Sequence, residues 1–201
     1  MKGIKEIKSI KVFSHYACPS CYISKGIMKK LKEEIDFELE FCPLEVAKSV
    51  PKQGMLLDTF FQQQNKNADE RYDYVKELGA KYGLVINKPT YKCNTYLALV
   101  LGEYARENNK YEEYSERVFK AHYEEDRNIS EESELVKILN EIGLNTENIS
   151  NVIENRGYQA KIEEYIKLAE KYNVVKAPTF IINDDLKVQG EENFIELVWG
   201  N

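Results

Sequence analysis

The sequence predicts an α/β fold: a mixed sheet built from both ends of the chain, with a large all-helical block inserted between. Three observations predict it. Residues 10–43 read strand, helix, strand. Residues 179–198 read strand, strand, helix. The stretch from Pro43 to Asn173 carries helical periodicity almost throughout. The order βαβ…ββα with an interruption places residues 1–43 and 174–201 in one sheet domain and residues 44–173 in an inserted helical domain.

Each element has its own justification. Ile10-Lys11-Val12-Phe13 is a short apolar run of β character. A helix is expected from Pro19 to about Leu31, because proline suits the first helical position. Phe37, Leu39 and Phe41 then alternate with Glu38 and Glu40, the period of a half-buried strand. Cys42 falls on the polar side of that strand. These three pieces have the length of one βαβ unit.

Helical spacing follows in turn. Tyr72, Val75, Leu78 and Tyr82 mark one helix; Leu97, Ala98, Leu101, Tyr104 and Ala105 mark another. Tyr111, Tyr114, Val118, Ala121 and His122 continue the pattern. So do Leu135, Ile138, Leu139 and Ile142, behind a Ser130 cap. Ile162, Tyr165, Ile166 and Ala169 give the last long helix. Breaks fall at residues 83–89, 108–110, 127–130 and 143–148. Residues 59–64 read as helix or loop. Thr179–Ile182 and Leu186–Gln189 flank Asn183-Asp184-Asp185 as a hairpin. Gly190 ends it, and Phe194, Leu197 and Val198 mark a final helix.

Composition narrows the function classes. The 201 residues are 43% hydrophobic and 31% charged, enough for a substantial core in an ordinary globular chain. A net charge of −6, with Lys and Arg dispersed, argues against nucleic acid as a partner. The apolar run from Leu97 to Leu101 is too short to span a bilayer, so no membrane partner is expected. Met1–Lys8 has a charge at every second or third position and no apolar signal region, which points to a cytoplasmic protein. Four cysteines (Cys18, Cys21, Cys42, Cys93) do not make a disulfide-dense secreted scaffold. The 14 tyrosines read as amphipathic packing.

Cys18-Pro19-Ser20-Cys21 carries the chemistry. Two thiols spaced by two residues sit where a helix begins, and unpaired backbone N–H groups there favour an anion. An ordinary cysteine is only about 3% thiolate at pH 7, so such a position matters for reactivity. The first sulfur would attack a disulfide and the second would resolve the mixed disulfide. A zinc site would need a second close pair of Cys or His, and Cys42, Cys93, His15 and His122 offer no such spacing; no metal is expected. Ala177-Pro178-Thr179-Phe180 is the second element. Pro178 cannot donate to a ladder and stands directly before a strand.

The chain resembles the DsbA-like branch of the thioredoxin-fold superfamily, closest to the FrnE-like dithiol–disulfide oxidoreductases. The residues that carry this are Ser14-His15-Tyr16-Ala17-Cys18-Pro19-Ser20-Cys21-Tyr22-Ile23-Ser24-Lys25, similar to a family block S-D-x-x-C-P-W-C-Y-I-G-K. Ala177-Pro178-Thr179-Phe180 and Val188-Gln189-Gly190 resemble the family's V-P-T-F and V-x-G. Asn94–Leu101 and Ala121–Ile129 resemble two helical blocks of the insertion. The resemblance implies a thioredoxin-like fold and a thiol–disulfide oxidoreductase. Cys18 would be the nucleophile, Cys21 the resolving thiol and Pro178 a cis-proline beside them. His15 would influence Cys18, as a thiolate-stabilising imidazolium or a neutral proton shuttle; the competing reading makes it a surface or boundary histidine at a strand end. Pro19, Ser20, Tyr22, Ala177 and Thr179 would line the substrate groove.

The implied partners are a disulfide-containing protein or small thiol, and a recycling reductant or glutathione. No cofactor is implied beyond the redox-active disulfide, with glutathione the one candidate. A reducing compartment favours the reductase or isomerase direction. Three departures stand out: Ser20 replaces the family's Trp, His15 its Asp, and Leu99 its His. Kappa-class glutathione transferases and 2-hydroxychromene-2-carboxylate isomerases share this fold but commonly have Ser at the first cysteine position. That activity, and a non-catalytic binding module, are the competing functions. His122 is expected to pack at a helix boundary, and Cys42 and Cys93 to be reduced, buried thiols.

Overall fold

Ile10 and Val12 point to one side of the first strand and Phe13 to the other, and all three are fully buried. Both faces of the sheet are therefore covered. The computed structural model describes residues 6–45 and 49–200. Residues 1–5, on which much of the leader-free reading rests, and 46–48 of the inserted block lie outside the described residues.

Strand β1 (Ser9–Ser14) leads through residues 15–18 into helix α1 (Pro19–Glu34), and β2 (Glu38–Pro43) returns parallel to β1. The other end supplies β5 (Thr179–Ile182), antiparallel to β1, and β6 (Leu186–Gln189), antiparallel to β5. The four-stranded order is β2-β1-β5-β6. Helix α9 (Glu191–Trp199) follows Gly190, whose φ of +88° suits glycine at that turn. The hairpin and its turn fall where the sequence places them.

Between β2 and β5 run α2 (Leu57–Gln62), α3 (Ala68–Ala80), α4 (Tyr96–Glu107), α5 (Tyr111–Tyr123), α6 (Glu132–Glu141), α7 (Ile149–Ile153) and α8 (Arg156–Lys171). The ambiguous segment 59–64 is mostly helix. Two features depart from expectation. A two-stranded antiparallel ribbon, β3 (Met55–Leu56) with β4 (Tyr91–Lys92), interrupts the helical block. Two residues per strand are too few to show a period. Ser130 does not cap α6; its hydroxyl accepts the Asn94 amide at 2.9 Å instead, and Glu131 holds the cap position with no side-chain hydrogen bond.

One apolar core joins the face of Ile10, Val12, Phe180 and Ile182 to α1, α9 and the inserted helices. A smaller cluster on the other face unites Phe13, Cys42, Leu44 and Ile181 with Ala169, Val174 and, at its margin, Leu168 and Tyr172. This second cluster accounts for the expected burial of Cys42. The residue does lie on the Glu38–Glu40 side of its strand, but α8 covers that end, so Cys42 is fully buried while Glu38 is exposed. His122 is likewise interior rather than at a boundary, about 1% exposed.

Candidate active site

Cys18 is the residue before the first turn of α1, in extended conformation (φ −124°, ψ 111°), with Pro19 starting the helix. Its carbonyl accepts from the Cys21 and Tyr22 amides at 3.0 and 3.3 Å, which closes the first turn. This puts the Cys18 sulfur at the positive helix end. Cys18 is partly exposed; Cys21, one turn in, is fully buried.

The two thiols differ sharply. The Cys21 thiol, as hydrogen-bond partner, holds the Cys18 thiol well below the ordinary cysteine range, and the His15 side chain adds in the same direction. Burial, reinforced by the Cys18 sulfur, pushes Cys21 well above that range. One sulfur is set up as a thiolate and the other as a thiol. His15, just after β1, acts on both: its side chain helps hold the Cys18 pKa down, and its backbone opposes the rise of Cys21. Burial lowers the His15 pKa, so the ring is neutral at pH 7. It is 6% exposed, and its Nδ1 has no hydrogen-bond partner. The burial excludes a surface histidine, and the lowered pKa favours the neutral ring over an imidazolium.

The segment before β5 closes the site from the other end of the chain. The Ala177–Pro178 peptide is cis, and the Ala177 carbonyl lies 3.7 Å from the Cys18 sulfur. Pro178 is buried, its carbonyl accepting the Gly190 amide at 2.9 Å. Val175, two residues before Ala177, is 74% exposed, the most exposed large apolar side chain described.

Of the five residues expected to line a groove, the structure leaves Pro19 and Ala177 partly open beside Cys18. The other three are buried with their polar atoms engaged. Thr179 donates to the Lys176 carbonyl at 2.7 Å, and Ser20 donates to Glu191 Oε1 at 2.5 Å. Tyr22 turns toward α5: its ring stacks on Phe119 with centroids 4.9 Å apart, and its hydroxyl meets Glu124 at 3.2 Å.

Residues with no local signal in the sequence also converge here. Lys92, on β4, donates to the Ala17 carbonyl at 2.7 Å, and its charge helps lower the Cys18 pKa. Burial lowers the pKa of Lys92 itself. Next to it, Cys93 lies 3.2 Å from Asn128 Oδ1 and 3.8 Å from His122 Nδ1, and burial pushes its thiol to about 11. Arg71 of α3 donates to the Ser20 hydroxyl. Nothing short of the fold brings residues 71 and 191 to Ser20, or residue 92 to Ala17 and Cys18. Among the described residues, no group of three or more His, Cys, Asp or Glu is arranged to hold a metal, and no helix is long and apolar enough to cross a membrane.

A parallel βαβ unit joined to an antiparallel ββα unit, with paired cysteines where the first helix starts, defines a thioredoxin-like fold. Residues 9–201 match the DSBA-like thioredoxin domain, and the chain belongs to that family. It is 32% identical over 181 residues to the uncharacterized protein YwbO of Bacillus subtilis strain 168, covering 87% of this chain and 86% of YwbO. A probable DsbA oxidoreductase from Streptomyces coelicolor superposes with a TM-score of 0.83 at 18% identity, over 96% of this chain and 90% of that one. A 2-hydroxychromene-2-carboxylate isomerase superposes with a TM-score of 0.76 at 14% identity, over 94% and 92%. At those identities the two structures speak to the fold alone.

Proposed function

We propose that this protein is a thiol–disulfide oxidoreductase working through Cys18 and Cys21. The observation that carries the reading is the opposed pair of thiols: a partly exposed, acid-shifted Cys18 at a helix start and a buried, base-shifted Cys21 one turn behind it. That asymmetry suits a nucleophile and a resolving group.

The Cys18 thiolate attacks one sulfur of a substrate disulfide. A Cys18–substrate disulfide forms and the other substrate sulfur leaves as thiolate. Cys21 then loses its proton and attacks the Cys18 sulfur; the second substrate thiolate departs and Cys18–Cys21 is left oxidised. Two electrons have passed to the substrate. Two equivalents of a small thiol such as glutathione, or a protein dithiol, would return the pair to its reduced form. The His15 ring acts on Cys18 and has a lowered pKa, so it suits proton exchange near the sulfurs. The Ala177 carbonyl, Pro19 and exposed Val175 would meet the substrate chain beside Cys18.

We place this work in a reducing, cytoplasmic compartment, in the reductase or isomerase direction. The buried, unpaired thiols of Cys42 and Cys93 support that compartment. The FrnE-like branch, and the division into a sheet domain and residues 44–173 as an inserted domain, belong to the same proposal. The fold likeness to an isomerase does not favour glutathione-dependent isomerisation here, because both sulfurs are present and oppositely tuned.

The test is insulin-disulfide reduction with glutathione as the recycling thiol. Cys18→Ser should abolish turnover, and Cys21→Ser should accumulate a mixed disulfide. Turnover retained by the Cys18 variant would overturn the proposal.

A further inference from the structure

The middle of the motif is tied to two distant parts of the chain. Ser20 is 2% exposed; its hydroxyl donates to Glu191 Oε1 at 2.5 Å and accepts from Arg71 Nη2. Arg71 and Glu191 also pair directly at 3.6 Å. Three elements meet at one hydroxyl: α1, the inserted helix α3 and the first turn of α9. The Glu191 side chain is 7% exposed and that of Arg71 37%. The Arg71 guanidinium lies over the Tyr74 ring at 5.4 Å, and the Tyr74 hydroxyl donates to Glu192. A carboxylate this buried needs a partner, because an unpaired interior charge is strongly destabilising. Arg71 and Ser20 are its partners.

We infer that Glu191 and Arg71 are positioning residues that set the reduction potential of the Cys18–Cys21 pair, acting through Ser20. The inference rests on the dithiol exchange proposed above. The reduced site carries a thiolate and the oxidised site carries none. A fixed charge nearby therefore acts on the reduced state alone. Glu191 opposes the thiolate and favours the disulfide; Arg71 favours the dithiol. The field of Glu191 already reaches Cys21, where it acts against ionisation. The two charges offset each other in the intact protein. Removing either one exposes the other, so the two removals act with opposite sign. A purely scaffolding role would move stability without that opposition.

The experiment equilibrates protein with glutathione and glutathione disulfide. The balance is protein disulfide plus two glutathione against protein dithiol plus one glutathione disulfide. The dithiol fraction is read by alkylation and mass. Glu191→Gln keeps an oxygen for Ser20 and removes the charge; its equilibrium constant should rise at least about fivefold, close to 20 mV toward more oxidising. Arg71→Met leaves Glu191 unpaired and should lower the constant about as much. Arg71→Lys keeps the charge and should stay within about twofold of the parent. Shifts of the same sign in the first two variants, or no shift beyond about twofold in Glu191→Gln, would overturn the inference. Glu191→Gln decides the matter even if Arg71→Met fails to fold. A parent protein that does not equilibrate with glutathione at all would refute the exchange activity itself, a separate result.

Discussion

The asymmetry between the two sulfurs makes a ranked prediction about Cys18. Its thiolate is held first by the Cys21 thiol and then by the His15 ring. Replacing Cys21 with Ala removes the larger support, and replacing His15 with Ala removes the smaller. A hydrogen bond to a charged group contributes roughly 1.5–3 kcal/mol, and each 1.4 kcal/mol is tenfold. Loss of the Cys21 donor should therefore lower the thiolate-to-thiol ratio of Cys18 by roughly 10- to 100-fold at fixed pH. Partial exposure of Cys18 places the effect in the lower half of that range. The His15 ring is the smaller support, so its loss should lower the ratio less, by roughly 3- to 10-fold. The sign is fixed: losing a donor to the anion destabilises the anion, and the titration midpoint rises. The assay is the pH dependence of Cys18 alkylation by iodoacetamide, with ultraviolet thiolate absorbance as a second reading. An unmoved midpoint in both variants, or a larger move in the His15 variant, would refute the reasoning.

Two further predictions concern the fold. His122 is buried and its pKa lies at about 3 against an ordinary 6.5. Between those values the unfolded chain binds a proton that the folded chain does not. Stability contributed by this residue is thus whole above pH 6.5 and lost as pH falls toward 3, on the order of 5 kcal/mol in all. Urea unfolding across that range should show a flatter acid limb in His122→Gln than in the parent. Gly26, inside α1, is a packing glycine: a Cβ there would stand 2.7 Å from Tyr82 Cβ and 3.2 Å from Leu84 Cδ1. Helix propensity would favour alanine by about 1 kcal/mol, but overpacking costs about 1–3 kcal/mol. Gly26→Ala should lower the thermal midpoint, and a rise would show that the 82–84 segment gives way freely.

Periodicity and turn chemistry are properties of neighbours in sequence, and these were legible. Alternation at Phe37, Leu39 and Phe41 marked β2, and Pro19 marked the start of α1. Asn183-Asp184-Asp185 marked the hairpin turn, and its first two residues do take positive φ, 52° and 58°. Elements too short to repeat a pattern, β3 and β4, left no trace. Cys42 shows a second limit. The alternation places Cys42 on the Glu38–Glu40 face, but whether that face meets water depends on where α8 lies.

The paired cysteines at a helix start, and a proline directly before a late strand, were written in the sequence, because each is a local arrangement of a few residues. Which thiol becomes the anion was not. That outcome depends on burial, on His15 turned inward as a neutral ring, and on Lys92 arriving from the inserted block. Electrostatic coupling depends on distance through space: the inserted block brings residues 71 and 92 to the motif, and the β5–β6–α9 end of the chain brings residue 191. Ser20 is the clearest case: in the sequence it is a small polar spacer between two cysteines, and in the fold it joins Arg71 to Glu191.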